Sequence, residues 1–318
     1  MNISGYEKGS SIELVKAAAR GGLMRWSITH QGASLETRAW SDGKAPKVTT
    51  KALAADAISR EYDKAVRTKM RDGYVFRRDR EGARGDVMFA AFASGGGGGV
   101  VLDLSLDGRF LVTGGHSGAP NAVWLDVIDT VTAQRRTVFE RKNASQVFLL
   151  SAQFDHTGEG VITSVDDETL RVDVATGQLR QLAKLGAARA SFNTHVLRPQ
   201  LDRARRRVVV FDEQVIVRVL DETGHTVLEV PMAHPTTECR AAGISPSGRL
   251  LALYRASRGV IYNHVDARHD ATNVVDVWDI DAGRLRETVA IGPQLTGLGF
   301  DPRDELLVTS WHHERGPV

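Results

Sequence analysis

The chain has one cysteine, Cys239, among 318 residues, so it cannot form an internal disulfide. It has no apolar run long enough to cross a bilayer and no stretch with the pattern of a signal peptide. These absences argue against a disulfide-stabilised secreted domain and a membrane protein. Hydrophobic residues make up 42% of the chain and charged residues 25%, as in soluble globular proteins. We therefore expect a reducing, cytoplasmic location and no membrane partner.

A large net charge is also missing, because the formal charge is only +2. That value hides an asymmetry: residues 1–94 carry 17 Lys and Arg against 11 Asp and Glu, a net of +6. The asymmetry ends at the sequence ASGGGGG (93–99), whose consecutive glycines favour a flexible connection. We predict a first domain at 1–80, a Gly-rich linker at 81–99 and a second domain at 100–318, with the two domains free to orient independently.

The second domain contains a repeat. Five stretches share an apolar residue, Ser or Asp, turn formers, a Gly or polar substitute and a β-branched or Leu-rich run. They are LSLDGRFLVT (104–113), FDHTGEGVIT (154–163), LDRARRRVVV (201–210), ISPSGRLLAL (244–253) and FDPRDELLVT (300–309). Their alignment places Gly108, Gly158, Arg205, Gly248 and Asp304 at one position, at intervals of 50, 47, 43 and 56 residues. Intervals of this size indicate propeller blades.

A second element recurs between these turns, an alternating strand that ends in Asp and a turn. Its copies are VWLDVIDTVTA (123–133), LRVDVATGQ (170–178), VRVLDETGH (217–225) and VDVWDIDAG (275–283). Each unit thus holds about four strands, which predicts a β-propeller of about five blades with the last one incomplete. The "SPSG" and "VWD" elements make residues 100–318 resemble WD-repeat propellers. We expect the ring to be closed by DVMFAAF (86–92) or by strands from a partner chain.

The first domain is predicted to be a small α+β unit. Strands are predicted at 22–32, 34–40 and 47–53, followed by a helix from an N-cap at Asp56 to a stop at Gly73. The helix has one apolar face, and Trp26 is assigned to the core because it alternates with Ile28. The predicted fold is therefore mainly β, an antiparallel sheet with one helix linked to a propeller.

The order of these elements, with "RWSITHQGASLETRAW" and the helix ending "KMRDGY", makes residues 11–77 resemble the WGR domain. That family, found in DNA-dependent poly(ADP-ribose) polymerases, implies nucleic-acid binding. The signature is altered here, because Ala39, Trp40 and Ser41 occupy the Trp-Gly-Arg positions.

Candidate nucleic-acid ligands cluster near this strand: Arg38, Trp40, Lys44, Lys47 and Lys51. Lysine and arginine displace counterions from phosphates, and an exposed aromatic ring can stack on a base. The alternatives are that Trp40 belongs to the core, with lysines that only solvate the surface, or that this module docks a protein.

Catalytic signals are sparse. The inserted loop at 255–273 contains candidate metal ligands of the types that suit zinc or manganese, namely His264, Asp266, His269 and Asp270. Ser117, in GHSGA, approaches the nucleophile-elbow pattern, but that motif needs a helix after the strand, and another strand is predicted here.

The sequence leads to two functional hypotheses. The favoured one is a noncatalytic, cofactor-free adaptor or regulatory subunit, in which the WGR-like module contacts nucleic acid or a nucleic-acid enzyme and the propeller docks a protein partner. The alternative is a metal-dependent enzyme or sensor that uses the loop at 255–273. The Ala-, Gly- and Arg-rich composition suggests a bacterial source.

Overall fold

We describe the fold from a computed structural model of the chain. The structure describes residues 11–78, 87–92, 101–118, 121–143, 149–184, 198–212, 216–231, 237–257, 273–291 and 295–310. Within these ranges the chain forms antiparallel sheets and a single α-helix. The expected mainly-β class is confirmed.

The first unit is a six-stranded sheet covered by the helix. Its elements are β1 (Ser11–Ala17), β2 (Leu23–Gln31), β3 (Ser34–Ser41), β4 (Lys47–Ala52), α1 (Ala55–Arg71), β5 (Val75–Arg77) and β6 (Phe89–Ala90). The strand order is β4-β3-β2-β1-β5-β6. The three predicted strands are present, and β1, β5 and β6 extend the sheet beyond them.

The helix packs as its apolar spacing predicted, with Ile58, Tyr62, Val66 and Met70 buried against the sheet. Trp26 is 5% exposed in the same cluster, which confirms its assignment to the core. The predicted N-cap is wrong, because Ala54 occupies that position without a side-chain cap and Asp56 lies in the first turn. Its carboxylate there still complements the helix dipole.

The rest of the described chain forms blade-like sheets of consecutive strands. Blade 1 contains β7 (Val101–Leu104), β8 (Phe110–Gly118), β9 (Asn121–Asp129) and β10 (Arg135–Lys142). Blade 2 contains β11 (Leu149–Phe154), β12 (Gly160–Val165), β13 (Glu168–Asp173) and β14 (Leu179–Lys184). Blade 3 contains β15 (Gln200–Leu201), β16 (Val208–Asp212), β17 (Ile216–Leu220) and β18 (Thr226–Pro231).

Blade 4 contains β19 (Thr237–Ile244), β20 (Leu250–Ser257), β21 (Val274–Asp279) and β22 (Arg284–Ala290). Blade 5 has two strands among the described residues, β23 (Leu295–Phe300) and β24 (Leu306–Ser310). Among the described residues, this is the β-propeller architecture of about five blades, the last one incomplete, that the repeat predicted.

The aligned turn positions share one backbone conformation. Gly108, Gly158 and Gly248 have φ between 71° and 75°, and their substitutes Arg205 and Asp304 have φ of 58° and 64°. Left-handed backbone is unfavourable for residues with a Cβ, so these two side chains need compensating contacts. The alignment of the five copies is confirmed by this geometry.

Neighbouring sheets each share an apolar cluster. Phe154 lies between blades 1 and 2, Val210 between blades 2 and 3, Leu251 between blades 3 and 4, and Tyr254 between blades 4 and 5. These side chains are at most 4% exposed. Alternate residues of a strand are buried on opposite faces of its sheet, so apolar packing holds neighbouring blades together in chain order.

The predicted role of residues 86–92 in ring closure is wrong. Phe89 and Ala90 pair with Arg77 and Phe76 of β5, so this segment completes the first sheet and extends its unit beyond residue 80. Pairing with β5 satisfies backbone groups of this segment, and Phe89 packs against the buried cluster at blade 1, which together explain the preference.

The expectation of two independently oriented domains is also wrong. Val15 and Val75 of the first sheet pack with Ile128 and Ala133 of blade 1 in one buried cluster. Arg135 Nη1 donates to the Phe92 carbonyl oxygen at 2.9 Å across the same boundary. The first unit thus packs on part of the face of blade 1 that points away from blade 2, around Ile128 and Ala133.

Candidate nucleic-acid interface

The predicted nucleic-acid residues lie on two faces of the first sheet. Trp40 pairs with Arg25, and Arg38 pairs with Ser27, on the face opposite the helix. Lys47 and Lys51 lie on the other face, since Lys51 pairs with Leu35 and Leu35 packs beneath the helix. Because directly paired residues project to the same side, the five residues do not form one surface.

The face that carries Trp40 has nearly balanced charge. Arg38 donates to Glu36 at 2.7 Å, and Arg25 binds Glu13 at 2.7 Å and Asp42 at 3.2 Å. Trp40 itself is half-buried, which lies between the exposed and core alternatives. Carboxylates beside both guanidinium groups make this face a poor match for phosphate.

The helix-side edge is more basic. Lys51 Nζ lies 2.9 Å from Glu61 Oε2, which joins β4 to α1. The hydrogen bond from Lys51 lowers the pKa of Glu61, and the charges of Lys64 and Arg60 lower it further. One carboxylate therefore lies among three cations, and all six residues of β4 are exposed.

We call this surface the β4–α1 basic edge, and it consists of Lys47, Lys51, Arg60 and Lys64. Arg60 and Lys64 lie on the exposed side of α1. The i, i+4 spacing places them together, but their approach to Lys51 depends on how the helix packs. Lys44 lies in the exposed turn between β3 and β4.

The other candidates add little to a site. His264, Asp266, His269 and Asp270 lie outside the described residues. In the part of the chain that the structure describes, no group of three or more His, Cys, Asp or Glu is arranged to hold a metal. Ser117 lies near the end of β8, and the next element is the strand β9 rather than the helix that a nucleophile elbow needs, as predicted.

The turns at one end of the blades are built around aspartates. Asp173 Oδ1 accepts from the backbone and hydroxyl of Thr176, both at 2.7 Å, and Asp221 Oδ1 accepts similarly from Thr223. Asp301 Oδ1 accepts from the amides of Arg303 and Glu305. These hydrogen bonds to the charged form lower the pKa of Asp173, Asp221 and Asp301.

We expect acid to destabilise the blades through these turns. A carboxylate with a lowered folded pKa contributes stability above its unfolded pKa of about 3.9, and loses it as the pH falls through the folded value. The thermal unfolding temperature should therefore fall as the pH drops below about 4. Asp173→Asn with Asp221→Asn should flatten this dependence, because Asn can accept the same bonds but does not titrate. An equally steep profile in that variant would contradict this role.

Comparisons with known proteins give a distant structural likeness. No family model matches the chain, and no curated protein matches it. Kuenenia stuttgartiensis hydrazine synthase aligns with 92% of this chain and 72% of its own, at 10% identity and a TM-score of 0.43. TolB from Acinetobacter baumannii aligns with 92% of this chain and 66% of its own, at 12% identity and a TM-score of 0.39. The propeller class therefore rests on the blade topology, and the WGR resemblance stays a prediction.

One further finding concerns membranes. Among the described residues, no helix has the length and apolarity needed to cross a bilayer.

Proposed function

We propose that this protein is a noncatalytic adaptor or regulatory subunit whose first unit contacts nucleic acid and whose blades dock a protein partner. The observation that carries the proposal is the β4–α1 basic edge, fixed in place by the packing of the first sheet on blade 1. A fixed module can present a bound nucleic acid at a defined position relative to a partner on the blades.

The chemistry of the basic edge suits a phosphate backbone. Lys51, Arg60 and Lys64 all lie close enough to Glu61 to lower its pKa, so a phosphate bound there would compete with this carboxylate for their charges. The Lys51–Glu61 pair is exposed, and such pairs contribute at most about 1 kcal/mol. Breaking it to bind phosphate therefore costs little, and contacts of this type are independent of base sequence.

The blades offer an apolar surface for protein docking. Leu102 and Leu104 of β7 are 64% and 46% exposed, and Leu106, in the turn that follows, is 55% exposed. Val101 and Asp103, which alternate with them, face blade 2. A row of exposed leucines is typical of an interaction surface.

Nucleic-acid binding by the first unit is tested by fluorescence anisotropy of labelled single-stranded and duplex DNA and RNA at several salt concentrations. Lys51→Ala with Lys64→Ala should lower affinity about tenfold at low salt and reduce the slope of log K against log salt by about 1.4 to 1.8. Arg38→Ala with Trp40→Ala is the matched control, because it changes the same sheet on its opposite face. It should leave affinity within about twofold.

If Arg38→Ala with Trp40→Ala lowers affinity and Lys51→Ala with Lys64→Ala does not, the interface lies on the Trp40 face. Absence of binding at low salt would remove nucleic acid from the proposal.

Protein docking on the blades is tested by capture of partners from nuclease-treated native extract. A stoichiometric partner that is lost with Leu102→Ser and Leu104→Ser, while the unfolding temperature is unchanged, supports it. Partner capture that survives these changes contradicts docking at this surface.

A further inference from the structure

A small cleft opens between blades 2 and 3 at the end of the blades that carries the aspartate turns. Its volume is about 30 Å³, which is room for about two water molecules. Five arginines line it: Arg171, Arg180, Arg205, Arg206 and Arg207. Such a density of guanidinium groups from two neighbouring sheets is not needed for packing, because the apolar cluster around Val210 already joins the blades.

Three of these arginines have tight carboxylate partners. Arg171 Nη2 lies 2.7 Å from Asp155 Oδ2, Arg205 Nη1 lies 2.5 Å from Asp103 Oδ2, and Arg207 Nη2 lies 2.5 Å from Asp281 Oδ1. These pairs fix the positions of the three guanidinium groups. They also satisfy most of their charge.

Arg180 and Arg206 are held less tightly. Within the described residues, Arg180 has no carboxylate within 4.0 Å, and its Nη1 donates to the Thr223 carbonyl oxygen at 3.3 Å. Arg206 Nε lies 3.7 Å from Glu222 Oε2, and its side chain is 68% exposed. The two side chains reach the cleft from different blades, Arg180 from β14 and Arg206 from the turn before β16.

The backbone leaves space for the Arg180 guanidinium. A Cβ on Gly224 would lie 2.7 Å from Arg180 Nη2, so any larger residue would displace this group. Gly224 also has φ of 87°, which independently favours glycine in the turn. The turn of blade 3 thus accommodates a cation from blade 2 that has no carboxylate partner among the described residues.

The carboxylates of the cleft differ in their availability. Asp155 is bound to Arg171 and Thr157, and Asp221 accepts from Thr223 and His225. In the part of the chain that the structure describes, Glu222 makes only the long contact with Arg206. It is therefore the one acidic group of the cleft that a ligand would have to displace.

We propose that this cleft binds a small phosphate-class oxyanion between Arg180 and Arg206. Guanidinium groups donate paired hydrogen bonds to tetrahedral oxyanions, and two of them supply enough charge for a dianion. The cleft has room for about two water-sized groups, so two oxygens of such a group can enter it while the rest stays outside, and a sugar or a base is too large. This site is separate from the β4–α1 basic edge and does not depend on it.

Calorimetric titration of the full chain with inorganic phosphate at low salt tests the proposal. Arg180→Ala with Arg206→Ala should weaken phosphate binding by about tenfold or more. Arg180→Lys alone should bind phosphate more weakly than the native chain but more tightly than the double variant. Glu222→Gln should strengthen binding about threefold, because it removes the competing charge without changing shape. Glycerol 2-phosphate distinguishes the ligand source: tighter binding than phosphate indicates an esterified group, and equal or weaker binding indicates free phosphate.

Arg303→Ala is the matched control, since Arg303 lies in the equivalent turn of blade 5 and its side chain is 75% exposed. It should leave phosphate binding unchanged. The proposal is overturned if phosphate does not bind, if the double variant binds it as the native chain does, or if Glu222→Gln fails to strengthen binding. Thermal unfolding of each variant separates loss of the site from loss of the fold.

Discussion

Arg205→Ala is expected to lower the free energy of unfolding by about 3 kcal/mol, because it leaves a partly buried carboxylate without its cation. The two nitrogens of the Arg205 guanidinium bind the two carboxylate oxygens of Asp103, at 2.5 and 3.1 Å. They also donate to the carbonyl oxygens of Phe154 and Leu104. The side chains of Arg205 and Asp103 are only 17% and 19% exposed. One side chain from blade 3 therefore joins blades 1 and 2.

A glycine at this position should be less harmful than an alanine. Arg205 has φ of 58°, a conformation that costs about 1 kcal/mol for a residue with a Cβ and little for glycine. We therefore expect Arg205→Gly to be about 1 kcal/mol more stable than Arg205→Ala. Urea denaturation measures both, with Arg203→Ala as control, since Arg203 is exposed in the same turn. A stable Arg205→Ala variant, or a glycine variant weaker than the alanine one, would contradict this account.

The position of Arg205 could be predicted from the sequence, but its partner could not. The repeat places Arg205 where three of the other four copies have glycine, since apolar residues on both sides fix the alignment without a glycine. Its carboxylate partner lies 102 residues earlier in the chain. Contact between blade 3 and blade 1 depends on how the blades curve together, which no local pattern records.

The faces of the candidate interface could also not be predicted from the sequence, although the residues lie close together in the chain. Alternation along β3 and β4 separates odd from even positions, but only the pairing of the two strands shows which set shares a face. Arg38 and Trp40 therefore separate from Lys47 and Lys51. The strand β6 has only two residues and carries no periodic signal of its own, so the sequence does not show that it pairs with the first sheet rather than with the propeller.

Ile128→Ala is expected to release the first unit from blade 1. Ile128 is fully buried between Val15 and Val75, and loss of such a side chain leaves a cavity that costs about 2 to 5 kcal/mol. In the native chain we expect the first sheet and blade 1 to unfold together. In the variant, amide hydrogen exchange at β1 and β5 should rise well above that of the other blades.

Val127→Ala provides the matched control, because successive residues of β9 face opposite sides of blade 1. Val127 is 2% exposed and packs with Phe154 toward blade 2, whereas Ile128 packs toward the first sheet. Val127→Ala should therefore raise exchange in β11 and β12 and leave β1 and β5 protected. Unchanged exchange at Val15 and Val75 in Ile128→Ala would show that the first unit is not held by this cluster. In that case the β4–α1 basic edge would have no fixed position relative to the blades, and the adaptor would require a flexible connection instead.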